Sequence, residues 1–496
     1  MRWPRRIFGL VIPSNITLAL AATLGLGGVI DGPIGRAALF VVSGIVLVVS
    51  LRSITGRLYT TAAVLLFCYL GLYYIQPVVH PVVPVLDEAA YSDVLPAYSF
   101  MTIASIHLFV VAYALGFGMS RAPLGEYDIR ESRLRNVIVV MIVVNCAAFG
   151  LLIWDAGGVG AAFAMSRVQR KESLTGLSAA AGYLLYAGVM LHALLPVYLR
   201  RRRFLYFAAA AALLGGAFVL FLVLRTRSVI IGQMVAFLLG SLVIAPRVTL
   251  RTGHAVRISG ATLRLVRSMA VIALLAVIGG VGLYARHARG LFEQHGLVGL
   301  LRADPTAVID AAVSHGDLGY APTVLRLLQL VPSEHEYLRG QSYYRLAFAP
   351  IPRALWKGKP ENTQRIVGGW LMPYGPSVQT IPPGMQGDAY INFGFAGVWV
   401  FALLGVLFAR LDRPNGFHLV LLTAVAFAPL FHLARGGFTN PVILLGWLWI
   451  VAGIIDRYLR ATFVSDGLVR DDARVMSPFP RDHASRVTTG QDRAVG

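Results

Sequence analysis

Long apolar runs recur along the chain, and they constrain its fold more than any other feature of the sequence. Runs of roughly 18 to 22 residues are long enough to cross the hydrocarbon of a bilayer as helices. Charged residues make up 14% of the 496 residues, whereas about a quarter of a soluble chain is charged. Because lipid offers no partner to backbone polar groups, these runs predict an all-α polytopic integral membrane protein.

The runs predict about twelve transmembrane helices with one long interruption. We place the spans at approximately 7–30, 36–51, 58–76, 98–119, 136–154, 179–199, 204–224, 228–245, 268–285, 389–409, 416–434 and 438–456. The expected organisation is helices one to nine in 1–285, a large loop in 286–388, the last three helices in 389–456 and a disordered tail in 457–496. The first run continues past a signal-peptidase-like Ala19-Leu20-Ala21, so we expect it to remain as a helix.

Arginine accounts for most of the formal charge of +20, and its distribution predicts the orientation. Connections rich in arginine, such as 200–203 and 247–267, alternate with poorer ones, and 77–96 has neither Lys nor Arg. The positive-inside rule then puts both termini in the cytoplasm and the 286–388 loop outside. The excess of positive charge is expected to bind anionic lipid and not nucleic acid, since the sequence has no finger or helix-turn-helix pattern.

Several common site types find no support in the sequence. Cys68 and Cys146 both lie inside apolar runs and indicate neither a disulfide nor a metal site. There is no Walker A, HExxH or GxSxG pattern anywhere in the chain. We therefore expect neither metal nor nucleotide as a cofactor.

Two candidate sites place cations outside, where the positive-inside rule disfavours them. Arg225 and Arg227 lie between two apolar runs, and Arg435 follows the eleventh run. Arginine grips phosphate bidentately and keeps its charge in an apolar site, so these residues are candidates for binding a diphosphate. The alternatives are snorkelling for the first pair and capping of a helix C-terminus for Arg435.

The external loop carries a second group of candidates. The stretch 342–363 combines cations with aromatic residues, which suit phosphate and sugar rings respectively. Its candidate contacts are Arg353, Trp356, Lys357 and Lys359. The alternative is a basic loop on lipid headgroups, anchored by Trp and Tyr. His315 is a weaker candidate for a base, because a lone loop histidine is usually just solvated.

An acidic residue stands at the mouth of the tenth span. Asp388, within Gly387-Asp388-Ala389-Tyr390-Ile391-Asn392-Phe393-Gly394, could deprotonate a sugar hydroxyl. It could equally be a helix cap or a partner of the helix dipole.

Four stretches carry a resemblance to a known family. They are Arg225-Thr226-Arg227-Ser228, the P-R-x-L-W-x-x-K-P pattern in 352–360, the G-D-x-Y-x-N-F-G-x-x-G pattern in 387–397, and Arg435-Gly436. In kind and order they resemble the Wzy-type O-antigen and exopolysaccharide polymerases, the oligosaccharide repeat-unit polymerase family. The resemblance covers nearly the whole chain except the tail, and it departs at Asp388, where the family usually has glutamate.

The resemblance implies a GT-C-like fold in the bacterial inner membrane. It implies an undecaprenyl-diphosphate-linked oligosaccharide as donor, a second one as acceptor, and growth by block transfer at the reducing end without a cofactor. Membrane lipid, a chain-length regulator and a flippase are the expected partners. The implied roles are diphosphate binding by Arg227 and Arg435, support from Arg225, Arg353, Trp356, Lys357, Lys359, Tyr390 and Asn392, and deprotonation by Asp388 or, second, His315.

Three other functions remain open from the sequence. An O-antigen ligase has similar topology and uses the same donor, but the loop histidines show no ligase pattern. A polysaccharide or lipid transporter would fit the helix count, although two similar halves are not visible. A non-catalytic scaffold of an export complex is the third.

Overall fold

The structure is a computed structural model, and part of the chain is described in it. The described residues are 60–73, 88–117, 127–158, 161, 176–199, 227–251, 320–346, 348, 358, 360–372, 381–412 and 416–460.

Helices dominate the described residues, as the apolar runs predict. In chain order they are α1 Thr61–Tyr73, α2 Glu88–Phe117, α3 Glu131–Asp155, α4 Gly176–Ala187, α5 Val189–Leu199, α6 Arg227–Leu239, α7 Ala321–Leu330, α8 Gln341–Tyr344, α9 Thr363–Leu371, α10 Gly384–Phe393, α11 Val398–Leu411, α12 Phe417–Val425, α13 Phe427–Gly436 and α14 Thr439–Arg460. The π-helical turn Gly240–Ile244, the 3-10 turns Ala245–Arg247 and Gly394–Gly397, and the short strands β1 Tyr127–Arg130 and β2 Val248–Arg251 complete the elements of the described residues.

Five helical segments of the described part are long and apolar enough to cross a membrane. They are Asp93–Gly116, Glu131–Asp155, Ala181–Leu199, Gly384–Leu411 and Asn440–Arg460. A sixth candidate is the pair α12 and α13, which is bent by 55° at its break. These segments confirm a helical membrane protein and match the expected spans at 98–119, 136–154, 179–199, 389–409, 416–434 and 438–456.

The other expected spans have two outcomes. The run at 58–76 contains the shorter apolar helix α1, and the run at 228–245 overlaps the shorter apolar segment Gly232–Arg247. The spans expected at 7–30, 36–51, 204–224 and 268–285 lie outside the described residues, as does the tail 457–496 beyond Arg460. The count of twelve and the GT-C-like fold therefore stay predictions.

The two ends of the helical assembly are marked by two buried aspartates, Asp388 and Asp412. Asp388 lies in α10 and Asp412 directly follows α11, so the two are on the order of 35 Å apart along one span. At the Asp412 end, the carboxylate accepts the N–H groups of Thr61 and Ala62 at 2.7 and 3.1 Å and the hydroxyl of Tyr113 at 2.9 Å. A carboxylate thereby stabilises the positive N-terminus of α1.

The arginine-rich connections of the described residues share the Asp412 end. There Arg133 donates to the carbonyl of Tyr458, and Arg460 pairs with the buried Asp456. The shared location of these arginines supports the predicted alternation between arginine-rich and arginine-poor connections. Which end of the assembly faces the cytoplasm stays a prediction.

A two-stranded parallel sheet also lies at the Asp412 end, and the sequence did not indicate it. Strands β1 and β2 pair with Tyr127 opposite Val248 and Arg130 opposite Arg251. Strands of four residues are too short to show an alternating pattern. The pairing also joins segments far apart in the chain, so local sequence could not predict it.

Two buried cores hold the helices together. The first is formed by α1, α2, α7, α10, α11 and α13, and the second by α3, α5, α6, α12 and α14. Phe427 at the start of α13 packs against both cores. Helix α13, whose last turn carries Arg435, is therefore held at its start by both cores.

The segment predicted as one external loop contains ordered helices in its described part. Helix α7, for example, covers Ala321–Leu330. The tenth span begins at Gly384, and not after Asp388 as expected. It is also interrupted at Gly394–Gly397, where Gly394 has φ 60°, a conformation that favours glycine.

Candidate functional site

Asp388 is the centre of the candidate site, and it is completely buried. Helix α10 begins at Gly384, so Asp388 lies about one turn inside the helix and does not cap it. One carboxylate oxygen, Oδ1, accepts the hydroxyl of Ser342 at 3.0 Å and the amide of Asn392 at 3.2 Å. The side chain of Thr363, at the start of α9, is a further hydrogen-bonding neighbour.

The second carboxylate oxygen of Asp388 caps a different helix from its own. Its Oδ2 accepts the N–H of Phe438 at 2.9 Å, directly before α14 begins at Thr439. A negative charge is favourable at a helix N-terminus. The cap interpretation of Asp388 is therefore right in kind, but the helix concerned is the last one.

Asn392 completes this network from the next turn of α10. Residues four apart share one face of a helix, and the Asn392 amide donates to the Ser342 hydroxyl at 2.8 Å and to the Asp388 carbonyl at 2.7 Å. In the structure the Asn392 amide donates its hydrogen bonds within the protein. Its predicted contact with the substrate stays a prediction.

The turn between α13 and α14 lies directly against Asp388. Gly437 has φ 89°, and a Cβ at this position would be 2.7 Å from Asp388 Oδ2. The adjacent Gly436 carbonyl accepts the amide of Gln364, in α9, at 3.0 Å. The Arg-Gly-Gly sequence is thus the turn that fits over a buried carboxylate.

Arg435 stands in the last turn of α13, at the Asp388 end and half-buried. Its Nε donates to the hydroxyl of Tyr320, and its guanidinium carbon lies 5.5 Å from the centre of the Tyr320 ring. The preceding carbonyl, of Ala434, accepts the hydroxyl of Tyr73 at 2.6 Å. Tyr320 therefore orients the Arg435 side chain, and Tyr73 holds the backbone just before it.

Arg227 opens α6, as expected for the start of a helix. Its side chain is not among those described. Helix α6 packs on α13 so closely that a Cβ at Gly232 would be 2.7 Å from the Cβ of Ala428. After α6 the chain continues into β2 at the Asp412 end, so Arg227, the first residue of α6, lies toward the same end of the assembly as Asp388 and Arg435.

Tyr390 belongs to a separate contact. Its hydroxyl donates to the carbonyl of Val331 at 2.7 Å, and its ring meets those of Tyr337 and Phe395. It fastens α10 to the segment after α7, on a face of α10 away from the Asp388 carboxylate. The remaining predicted site residues, Arg225, His315, Arg353, Trp356, Lys357 and Lys359, lie outside the described residues.

Tyr343 is an aromatic neighbour of the carboxylate. Its ring lies between Phe393 and Phe438, with centroids 5.3 and 5.0 Å away. Burial raises the pKa of Tyr343 well above its usual value, and the negative charge of Asp388 raises it further. The hydroxyl is therefore protonated at neutral pH and can act as a hydrogen-bond donor.

Sequence reasoning missed Tyr320 and Gln364 as parts of this site, and it included Ser342 only as the first residue of the basic aromatic stretch. Tyr320 and Gln364 lie far along the chain from the residues that they contact, and neither stands in a recognisable pattern. Within the described ranges, no group of three His, Cys, Asp or Glu side chains is placed to hold a metal ion.

The geometry favours an anchoring role for Asp388. A general base needs a lone pair that faces the substrate hydroxyl. Both carboxylate oxygens here accept hydrogen bonds from the protein, and the residue is 0% exposed. Removing such a buried acceptor would leave several donors unsatisfied.

Comparison with known proteins adds no relative. No protein-family model, curated protein or solved structure matches the chain.

Proposed function

We propose that this protein polymerises undecaprenyl-diphosphate-linked oligosaccharide repeat units into O-antigen, capsular polysaccharide or exopolysaccharide. The observation that carries the proposal is the assembly around one carboxylate. Asp388 hydrogen-bonds to Ser342, at the start of the basic aromatic stretch, and to Phe438, directly after the Arg435-Gly436-Gly437 turn. Two stretches that resemble polymerase motifs, 387–397 and Arg435-Gly436, therefore meet at one end of a membrane protein, beside the first residue of the basic aromatic stretch.

The reaction needs no energy source beyond its donor. The oxygen of an acceptor hydroxyl forms a bond to the anomeric carbon of the donor, and the bond from that carbon to the diphosphate oxygen breaks. The diphosphate leaves with the electron pair, and the hydroxyl proton passes to a base. The protein then has to position two lipid-linked glycans, stabilise the charge of the leaving group and accept one proton.

Arginines at the Asp388 end suit the leaving group. We assign Arg435 and Arg227 to the diphosphates, because a guanidinium binds phosphate oxygens in pairs and stays charged in an apolar site. Arg353 and Lys359 are the supporting cations. Asp388 is assigned to holding the Arg435 turn in place, and His315 becomes the first candidate for the base.

The deciding measurement is the size distribution of surface and lipid-linked glycan in a deletion strain complemented with variants. We expect single repeat units in the deletion strain and a full ladder with the wild-type gene. Arg435→Ala should fail to restore the ladder at normal expression. Arg365→Ala is the matched control, since Arg365 is an exposed arginine in α9 that pairs with Glu361 across 3.7 Å.

Other outcomes would point to the alternatives. Long lipid-linked polymer in the deletion strain would indicate a ligase. Lipid-linked repeats confined to the inner leaflet would indicate a transporter. An unchanged ladder in the deletion strain would refute the proposal. Full activity of Arg435→Ala would refute the assigned role of Arg435.

A further inference from the structure

Tyr320 contacts Arg435 in two ways at once. Its hydroxyl oxygen accepts the Nε–H of the arginine, and its ring lies beside the guanidinium, 5.5 Å from carbon to ring centroid. A hydrogen bond from a charged donor and a cation–π contact both restrict the orientation of the guanidinium plane.

Tyr320 is itself rigidly held. It is 5% exposed, its N–H donates to the carbonyl of Leu72 at 3.2 Å, and its carbonyl accepts the N–H of Val324 at 3.2 Å. It therefore joins the end of α1 to the start of α7. The next residue of α1, Tyr73, holds the carbonyl of Ala434. Helix α1 thus fixes both the backbone before Arg435 and the partner of its side chain.

This arrangement fixes the orientation of the guanidinium before phosphate binds. Holding a flexible side chain before the ligand arrives lowers the entropy that binding would otherwise lose. The tyrosine ring is suited to this purpose, because it has few rotatable bonds and is packed on the core.

We infer that Tyr320 is the positioning residue of Arg435, fixing the guanidinium for binding of the diphosphate of the lipid-linked substrate. The inference rests on the proposed function. It adds a residue from a different part of the chain to the diphosphate site, and it predicts energetic coupling between positions 320 and 435.

The test measures binding of undecaprenyl diphosphate to the full chain in nanodiscs of phosphatidylethanolamine and phosphatidylglycerol. The variants are Tyr320→Phe, Arg435→Ala and the double variant. Tyr320→Phe keeps the ring and removes the acceptor, so we expect the Kd to rise roughly tenfold. In the Arg435→Ala background, Tyr320→Phe should cause no further loss, because the group that it positions is gone.

Tyr113→Phe is the matched control for structural damage. Tyr113 is also buried, and its hydroxyl also bonds to a charged group, Asp412, but at the opposite end of the assembly. It should lower thermal stability about as much as Tyr320→Phe and change the Kd less than about twofold.

The two possible failures are distinguishable. If Arg435→Ala weakens binding while Tyr320→Phe does not, or if the two losses simply add, the positioning role is refuted and the diphosphate site stands. If wild type and Arg435→Ala bind undecaprenyl diphosphate equally, or if wild type does not bind it, the assignment of Arg435 is refuted and the inference falls with it.

Discussion

Replacing Gly437 with alanine should break the turn that joins Arg435 to the last helix. Gly437 has φ 89° and ψ −176°, a conformation that is essentially confined to glycine. Any other residue there stores strain of about 1 to 3 kcal/mol. The new methyl group would also be 2.7 Å from the Asp388 oxygen that accepts the Phe438 N–H.

The carboxylate must therefore move, and the buried N–H loses its charged acceptor. A hydrogen bond to a charged group contributes about 1.5 to 3 kcal/mol. Strain and the lost cap together should lower the free energy of unfolding by about 3 to 5 kcal/mol. The ladder of glycan sizes should shorten as well, since Arg435 is on the same turn.

Two other glycines provide controls. At Gly453, within α14, a Cβ would have no atom within 4 Å, so alanine should be neutral or should stabilise by up to about 1 kcal/mol. At Gly436 the methyl would meet the Gln364 amide at 2.9 Å, the flexible end of a side chain. Gly436→Ala should therefore lower the free energy of unfolding by more than Gly453→Ala and by less than Gly437→Ala.

The assay is unfolding of the purified full chain in mixed micelles with increasing dodecyl sulfate. The glycan ladder of the complemented strain is recorded in parallel. If Gly437→Ala and Gly453→Ala unfold within about 0.5 kcal/mol of each other, the cap provided by Asp388 does not stabilise the turn, and the reasoning fails.

Three further predictions concern the helix contacts and the site network. Asp412→Ala should lower the free energy of unfolding by about 3 kcal/mol, because the first N–H groups of α1 lose a buried acceptor; an unchanged value in the micelle assay would contradict this. Gly405→Ala would place a methyl 2.4 Å from a backbone oxygen of α2 and should destabilise by about 1 to 3 kcal/mol, whereas Gly71→Ala, with open space, should not. Ser342→Ala should shorten the glycan ladder, because one donor to the buried carboxylate is lost; a normal ladder with this variant, equal to that of the exposed Ser333→Ala, would argue against the network.

The amino-acid sequence by itself determined the class of the fold and the location of six apolar helical segments. In a bilayer a backbone must satisfy its own hydrogen bonds, so an apolar run of sufficient length becomes a helix whatever its neighbours are. The run at 136–154 accordingly lies within α3, and the run at 438–456 lies within α14 except for its first residue. The same chemistry drew attention to Asp388 and Arg435, because charges beside apolar runs are conspicuous.

Tertiary structure decided what those residues contact. Asp388 caps a helix that begins about fifty residues later, Arg435 is held by Tyr320, and Tyr390 fastens two segments instead of facing the carboxylate. The paired strands β1 and β2 are likewise far apart in the chain. Local periodicity reports which face of a helix is apolar, but it carries no information on which distant segment will cover that face. The packing of α1, α10 and α13 made that choice, and with it the shape of the site.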